Sequence, residues 1–594
     1  MIRNMIRNMI RNMIRNMIKQ PINQPIKPTL PARRLGGCFA VALLFAAPVE
    51  AAQAASPEAR GGPRLSDASA LSGIDLAPTS GTHPRTQILE VKGGGLALID
   101  YDRDGLLDLF VPNGATLADT ERGPGARLYR NEGGLRFRDA TEASGIRHTR
   151  WSFGVAVGDV DGDGLDDIFI ACFGPDVLLR NRGDGTFEDI SREAGVADPG
   201  WSTSAAFADL DGDGDLDLFV CRYLAFDPAR PLPPASFKGM AVIAGPKGYE
   251  PAPDRVYENT GSGRFVERSR EWGFAAARSA FALNLAILDF NDDGLLDVYV
   301  GNDSHASHLF IAERGEDGAV RFTDQGLRSG VGVNGEGIEQ ATMGVAVADV
   351  DGNGRPDLFT TNFSSDTNTL HLNLDGRSFD DRTNQFGLGA PSRTMVGWAA
   401  GFADLDHDGD EDLFVVNGHV YPQATRREMD SDYAQPAQLF VREGRRFSPA
   451  ASAGAWTPAP EVGRTAVFAD LDLDGDIDIV SAGLDAPIRV LRNDHDRADD
   501  WIVVAPRDSR PRGVARDILG ARIELRPRDG GAIQRRWIAG GGPFQSTATR
   551  EAHFGAPPEL GPVDIVVRFL DGTEMRIDEA PRGRRIVVDR NDGG

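Results

Sequence analysis

One nine-residue loop, DxDxDGxxD or a near copy, recurs seven times along this chain of 594 residues, starting at Asp100, Asp159, Asp209, Asp289, Asp349, Asp404 and Asp470. A hard cation such as calcium takes about six to eight oxygens, and side chains at positions 1, 3, 5 and 9 with a carbonyl at position 7 supply most of them. Glycine at position 6 gives the sharp turn that lets those oxygens converge. The side-chain ligands expected on this phase are Asp100, Asp102, Asp104 and Asp108 in the first loop; Asp159, Asp161, Asp163 and Asp167 in the second; and Asp209, Asp211, Asp213 and Asp217 in the third. They continue as Asp289, Asn291, Asp293 and Asp297; Asp349, Asp351, Asn353 and Asp357; Asp404, Asp406, Asp408 and Asp412; and Asp470, Asp472, Asp474 and Asp478. Without an ion such carboxylates repel one another. Solvated Asp-Gly turns are the plain alternative, and seven copies in one phase argue against it. About seven Ca2+ sites are therefore expected.

The flanks exclude an EF-hand, which needs helices on both sides and a glutamate at position 12. Short apolar runs stand there instead, such as GVAVGD before the second loop and DIFIA after it, so each loop joins two strands of a hairpin. A second element, an apolar residue followed by an acid, Ser or Thr and then Gly, recurs at Phe137, Phe187, Phe265, Phe322, Phe379 and, degraded, at Phe447. Each unit of about 60 residues thus reads as four short strands, the pattern of a propeller blade. A further copy, Leu65–Gly73, precedes the first loop, and the seventh loop is followed only by a third strand, IRVLRND. The N-terminal copy is therefore expected to complete the seventh blade, leaving no long open edge and favouring a monomer. The fold class is all-β: a seven-bladed β-propeller with calcium-binding hairpin loops, plus a small C-terminal β domain. Five residues before each loop stand Gly95, Gly154, Ser204, Asn284, Gly344, Ala399 and Thr465, mostly small, as strands crowding an axis require.

Phe153-Gly154 and Met343-Gly344 before their loops resemble FG-GAP (VCBS) repeats, the type that builds the integrin alpha-subunit propeller. With Gly93–Gly114, Met343–Phe363 and Asn417–Gln423, and with Leu519–Arg522, Gly540–Ser546 and His553–Gly555 near the C-terminus, the chain is similar to the cartilage acidic protein family and its ASPIC/UnbV domain. That resemblance implies a calcium-binding repeat protein with a role in binding or cell adhesion. The chain departs from the family pattern at Thr547, where Gln is usual, at Phe569-Leu570 in place of Trp-Pro, and at Ala244 in place of a Cys. The last change removes a disulfide partner that the resemblance would imply.

The expected organisation is an N-terminal extension and signal peptide over 1–54, a linker over 55–64, the FG-GAP/VCBS propeller over 65–498 and the ASPIC/UnbV-like domain over 499–594. Four MIRN copies over residues 1–16 resemble a duplicated start region; after them Arg33-Arg34, an apolar run from Leu35 to Ala47 and Ala52-Gln53-Ala54 carry the signal-peptide reading, and the run is too short to span a bilayer. A secreted or periplasmic location follows, with no transmembrane segment in the mature chain. Cys172 and Cys221 are expected as small buried residues rather than a disulfide. A net charge of −24 argues against nucleic acid and anionic membrane as partners.

At the strand ends opposite the loops stand Asn113, Asn302, Asn362 and Asn417, in one phase, with Asp303, His305, His308 and His419 nearby. Asn302, Asp303, His305, Asn362, Asn417 and His419 are the candidate ligand residues of a polar mouth for a glycan, protein or small molecule, unless the amides satisfy their own turns. The proline-rich segment from Tyr223 to Asp254 reads as a lid over that mouth. Basic residues of the C-terminal domain, Arg516, Arg522, Arg535 and Arg536 among them, bind an anionic ligand, form a solvated face or dock on the acidic propeller. A binding or adhesion module is the first function class and more expected than catalysis. The alternative is an enzyme of a secondary-metabolite or cell-envelope pathway with its site at the mouth, for which no catalytic set is identifiable.

Overall fold

Each acidic loop turns back on itself because the residue before position 1 pairs with position 9, and this register is constant. Ile99 faces Asp108, Gly158 faces Asp167 and Ala208 faces Asp217, and the same pair recurs through to Ala469 and Asp478. A computed structural model describes residues 61–495, 499–509 and 516–590. The expected signal peptide lies outside them. In the first repeat the hairpin Ala97–Ile99 and Asp108–Val111 is extended by Arg127–Asn131 and Phe137–Asp139 into an antiparallel sheet of four strands. Six further repeats follow this order, and the described residues are all-β apart from single-turn helices.

The seventh sheet draws three strands, Pro460–Ala469, Asp478–Leu484 and Arg489–Asn493, from the end of the repeat region and its fourth, Leu65–Asp67, from the start. Leu65 lies opposite Asn493 and Asp67 opposite Leu491, as the repeat arithmetic requires.

Strands alternate apolar residues on both faces, so each sheet buries two faces against its neighbours. Ile99, Phe110, Val155 and Ile168 join the first and second sheets, while Leu98, Val111, Val467 and Val480 join the first to the seventh. A side-chain clasp accompanies these cores. The asparagine ending the third strand of one repeat donates to the carbonyl at loop position 2 of the repeat before it: Asn131 to Leu471, Asn181 to Tyr101, Asn259 to Val160, Asn373 to Phe290 and Asn493 to Leu405, over 2.8–3.0 Å. In the sixth repeat Arg442 reaches Val350 the same way, at 2.7 Å. The fourth repeat carries Ala312 at this position, which has no side chain to donate.

The C-terminal segment folds as two sheets around Ile502, Val504, Ile523, Phe554 and Ile565. One holds Trp501–Asp508 between Ala552–Gly555 and a parallel Arg584–Asp589; the other orders Gln534–Trp537, Arg522–Pro527, Val563–Arg568 and Glu574–Ile577. The run from Gln534 to Gly541 is divided into two short strands, Gln534–Trp537 and Gly540–Gly541. Gly540–Gly541 leaves the domain and pairs with Ile287 and Ala286, on the innermost strand of the fourth sheet. Residues 540–547 then run between the innermost strands. Asn284 donates to the Gly542 carbonyl, Thr465 to the Phe544 carbonyl, and Phe544 packs edge-on against Trp398 at 4.8 Å. Crowding by neighbouring strands is therefore only part of why residues there are small: a β-carbon on Gly95 would strike the Gln545 carbonyl.

Candidate functional site

The seven loops share one internal hydrogen-bond scheme. At position 1 the carboxylate Oδ2 accepts the N–H of the position-6 glycine in all seven, from Gly105 onto Asp100 at 3.1 Å to Gly475 onto Asp470 at 3.0 Å. Those glycines lie at φ between +85° and +99°, where an L side chain is strained. Position 5 accepts the N–H of position 7, as Asp163 does from Leu165 at 2.8 Å, which holds the backbone on the N-terminal side of the residue whose carbonyl is the expected ligand. Position 9 takes two backbone amides at once in six of the loops, and in the sixth Asp412 takes one, from Arg442 at 2.9 Å. In the second loop Asp167 Oδ2 accepts from Val160 at 3.0 Å and Oδ1 from Asn181 at 2.8 Å, so one carboxylate ties the loop to the third strand.

The donor set suits a hard divalent cation. One oxygen from each of Asp100, Asp102 and Asp108 lies within 4.8 Å of the other two, the triads 159/161/167, 209/211/217 and 349/351/357 converge at the same positions, and in the sixth loop Asp404, Asp406 and Asp408 converge instead. Buried oxygens of Asp102, Asp349, Asp412 and Asp472 have no hydrogen-bond partner. The position-9 carboxylates are at most 1% exposed. Burial pushes Asp108, Asp167 and Asp357 up to about 8 and Asp217 to about 9, with neighbouring carboxylates adding to the shift. No arginine or lysine within the described residues forms an ion pair with any of the four. The loops are not equal: Arg130 bonds Asp102 and Asp104 at 2.6 and 2.7 Å in the first, and Arg492 sits 3.3–3.4 Å from Asp472 and Asp474 in the seventh.

The C-terminal domain is seated on this loop face. Arg522 reaches Asp292, Arg535 reaches Asp349, Arg536 reaches Glu411 and Arg550 reaches Asp166, all at 3.0–3.2 Å. The Gly555 N–H donates to Asp404 at 3.0 Å. Docking on the acidic repeats is thus the outcome for Arg522, Arg535 and Arg536, and Arg516 lies in the short strand Arg516–Asp517. Beside these contacts a cleft of 1080 Å3 opens between the first four loops and the domain. The sequence signal for docking was charge opposition alone; nothing in it pointed to Arg550.

At the opposite strand ends the amides face inward. Asn113, Asn302, Asn362 and Asn417 are at most 3% exposed, and each donates to a backbone carbonyl of the following connection, Gly125, Ala306, Thr367 and Pro436, at 2.8–3.0 Å. They brace turns rather than forming an open polar ring. Asp303 is held by Tyr223 Oη at 2.6 Å and Lys92 Nζ at 3.2 Å, a buried ion pair absent from the sequence expectations. His305 stacks on Phe281, His308 faces Asp324, and His419 is fully buried against Phe363 and Tyr421, its pKa held down to about 3 by burial with Arg464 and Lys238 nearby. The segment from Tyr223 to Asp254 does cross this end. Its hairpin, Ala235–Phe237 with Met240–Val242, lays Phe237 on Phe363 and Tyr421, and Lys238 donates to the Met429 carbonyl. Cys172 and Cys221 are free and buried. No helix of the described residues is long and apolar enough to cross a membrane.

These features define a repeat protein built on acidic loops with a β domain seated over them. The family model of the FG-GAP-like repeat matches residues 100–170, 159–220, 289–360 and 349–415, and that of ASPIC and UnbV matches 512–594. The chain is therefore an FG-GAP-repeat protein with a C-terminal ASPIC/UnbV domain. Among curated proteins it is similar to cartilage acidic protein 1 of Xenopus tropicalis, 26% identical over 268 residues, which cover 44% of this chain and 37% of the relative. For the Homo sapiens protein of that name the identity is 27% over 269 residues, covering 44% of this chain and 36% of the relative. The match spans little more than a third of those relatives. A solved structure of an Agrocybe aegerita lectin shares 17% identity across 62% of this chain and 88% of the lectin, with a TM-score of 0.33, a likeness that carries no argument.

Proposed function

We propose that the chain is a secreted or periplasmic calcium-dependent binding module: a seven-bladed β-propeller, closed by its N-terminal strand, that holds about seven Ca2+ ions and presents ligand-binding surfaces on a metal-stiffened ring. The observation that carries this reading is the set of dehydrated position-9 carboxylates, each facing further acids across a loop and lacking a cationic side chain. Five positions of each loop would hold the ion, side chains at 1, 3, 5 and 9 with the carbonyl at 7. Bound calcium neutralises the carboxylates and so ties the loop, the third strand and the C-terminal domain into one body. The FG-GAP repeats support binding or adhesion over catalysis. An extracellular setting agrees with the name of the cartilage relatives. The ligand-facing surfaces are the cleft under the C-terminal domain and the sides of the ring.

The test combines metal analysis with calorimetry on the whole chain. The expected result is about seven calcium ions per chain and a melting temperature that falls by well over ten degrees on chelation. A chain that retains no calcium after dialysis and melts alike with and without chelator overturns the reading.

A further inference from the structure

Where the sixth and seventh sheets meet, a cleft of 290 Å3 enters the ring from its side. A cavity of about 150 Å3 accepts a benzene-sized ring, so there is room for one six-membered ring with its substituents. Trp456 lines it, backed by Phe414 at 5.7 Å between ring centroids. Asn417, 1% exposed, also lines it. Its Nδ2 is fixed on the Pro436 carbonyl at 3.0 Å and Gln438 Oε1 at 3.3 Å, which orients the amide. Its Oδ1 is buried without any hydrogen-bond partner. A buried acceptor in a fixed orientation, short of a donor, is costly unless a ligand or water supplies an N–H or O–H. Ser481 and the Arg489–Glu461 pair, joined at 2.7 and 2.8 Å, form the rim, with Asp67 at 3.5 Å from Arg489.

We infer that this seam is a saccharide site taking one neutral pyranose residue. Its apolar face would lie on the Trp456 wall while one hydroxyl donates to Asn417 Oδ1 and others meet Ser481, Arg489 and Glu461. An aromatic wall with a few convergent planar polar groups matches a ring that has one apolar face and a polar edge. One guanidinium against two carboxylates at the rim disfavours an acidic sugar. The N-terminal strand that completes the seventh sheet contributes Asp67 to the rim. The assignment deepens the binding-module reading and rests on it.

Saturation-transfer NMR on the calcium-saturated full chain, with the methyl glycosides of glucose, galactose, mannose, N-acetylglucosamine and N-acetylgalactosamine, tests it. Transfer to the ring protons of at least one glycoside is expected, with affinity weakened at least tenfold in Asn417→Leu, which removes the acceptor, and in Ser481→Tyr, which fills the cleft. Should Asn417→Leu not fold, Ser481→Tyr, at a part-exposed strand position, decides alone. No transfer to any of the five, or affinities unchanged in the folded variants, overturns the site. Calcium-dependent melting without sugar binding would remove the saccharide site and leave the module reading standing. Sugar binding sensitive to the variants in a chain that holds no calcium would do the reverse.

Discussion

Position 9 of the second loop combines an expected role and an observed one that substitutions can separate. Asp167 is both an expected ligand and the acceptor of two buried amides, whereas Asp161 accepts only a marginal 3.3 Å bond from Asp163. Asp167→Ala should therefore cost about 3 kcal/mol or more even in chelator, because two buried N–H groups are left unpaired. Asp161→Ala should be close to neutral in chelator and costly only with calcium present; denaturation with and without EDTA checks both. A pH effect belongs at this scale too. Burial and Arg150 hold His148 down to about 4, against an ordinary value near 6.5. Between these values the unfolded chain takes up a proton that the folded chain refuses, so this contribution is complete above pH 6.5, declines as pH falls and levels off below 4. His148→Asn should flatten the dependence of stability on pH by up to about 1.4 kcal/mol per pH unit inside that window, measured as the difference from the parent in urea melts. Much of this was legible in the sequence. Loop spacing is local, so phase alone located the seven acidic loops, whereas Asn302, Asn362 and Asn417 were ambiguous because an amide serves a turn and a ligand equally well. Only the fold shows that the Oδ1 atoms of Asn302 and Asn417 are both buried without a donor, and that of the two it is Asn417 that lines the cleft between the sixth and seventh sheets.

Between elements, the decisive bonds join repeats. Asn181 and its partner Tyr101 are 80 residues apart, so the sequence displayed the asparagine as the end of a strand but not what it holds. Asn181→Ala should cost about 1–2 kcal/mol by orphaning the Tyr101 carbonyl and loosening the seam between the first and second sheets, seen as faster hydrogen exchange confined to those two sheets. The closure was legible because counting strands leaves one missing at one end and one spare at the other. Deleting Leu65–Gly73 should lower the melting temperature and promote association through the bared edge of Arg489–Asn493; light scattering with calorimetry reads both effects. The Gly540–Gly541 strand escaped the sequence because two glycines carry no periodicity, and its pairing with Ile287 is wholly long-range.

For the molecule as a whole, the ASPIC/UnbV domain and the ring meet through opposed charge, with the 540–547 segment lodged between the inner strands. Replacing Arg535 and Arg550 together by Glu should leave both cores folded while exposing the segment, so its amides should exchange at least tenfold faster, read by hydrogen exchange in calcium. The origin of the seventh sheet also bears on time. Leu65 is made long before Asn493, the residue it pairs with. At about 5–20 residues per second, synthesis separates the two by roughly 20–90 s. During that interval six sheets have their strands while the first segment waits without a partner. Pairing in the seventh sheet thus joins the earliest and latest strands of the repeat region, and the 540–547 segment is made later still. Any chain stopped short of residue 489 therefore carries a bare N-terminal strand, which marks unfinished molecules as sticky and finished ones as sealed.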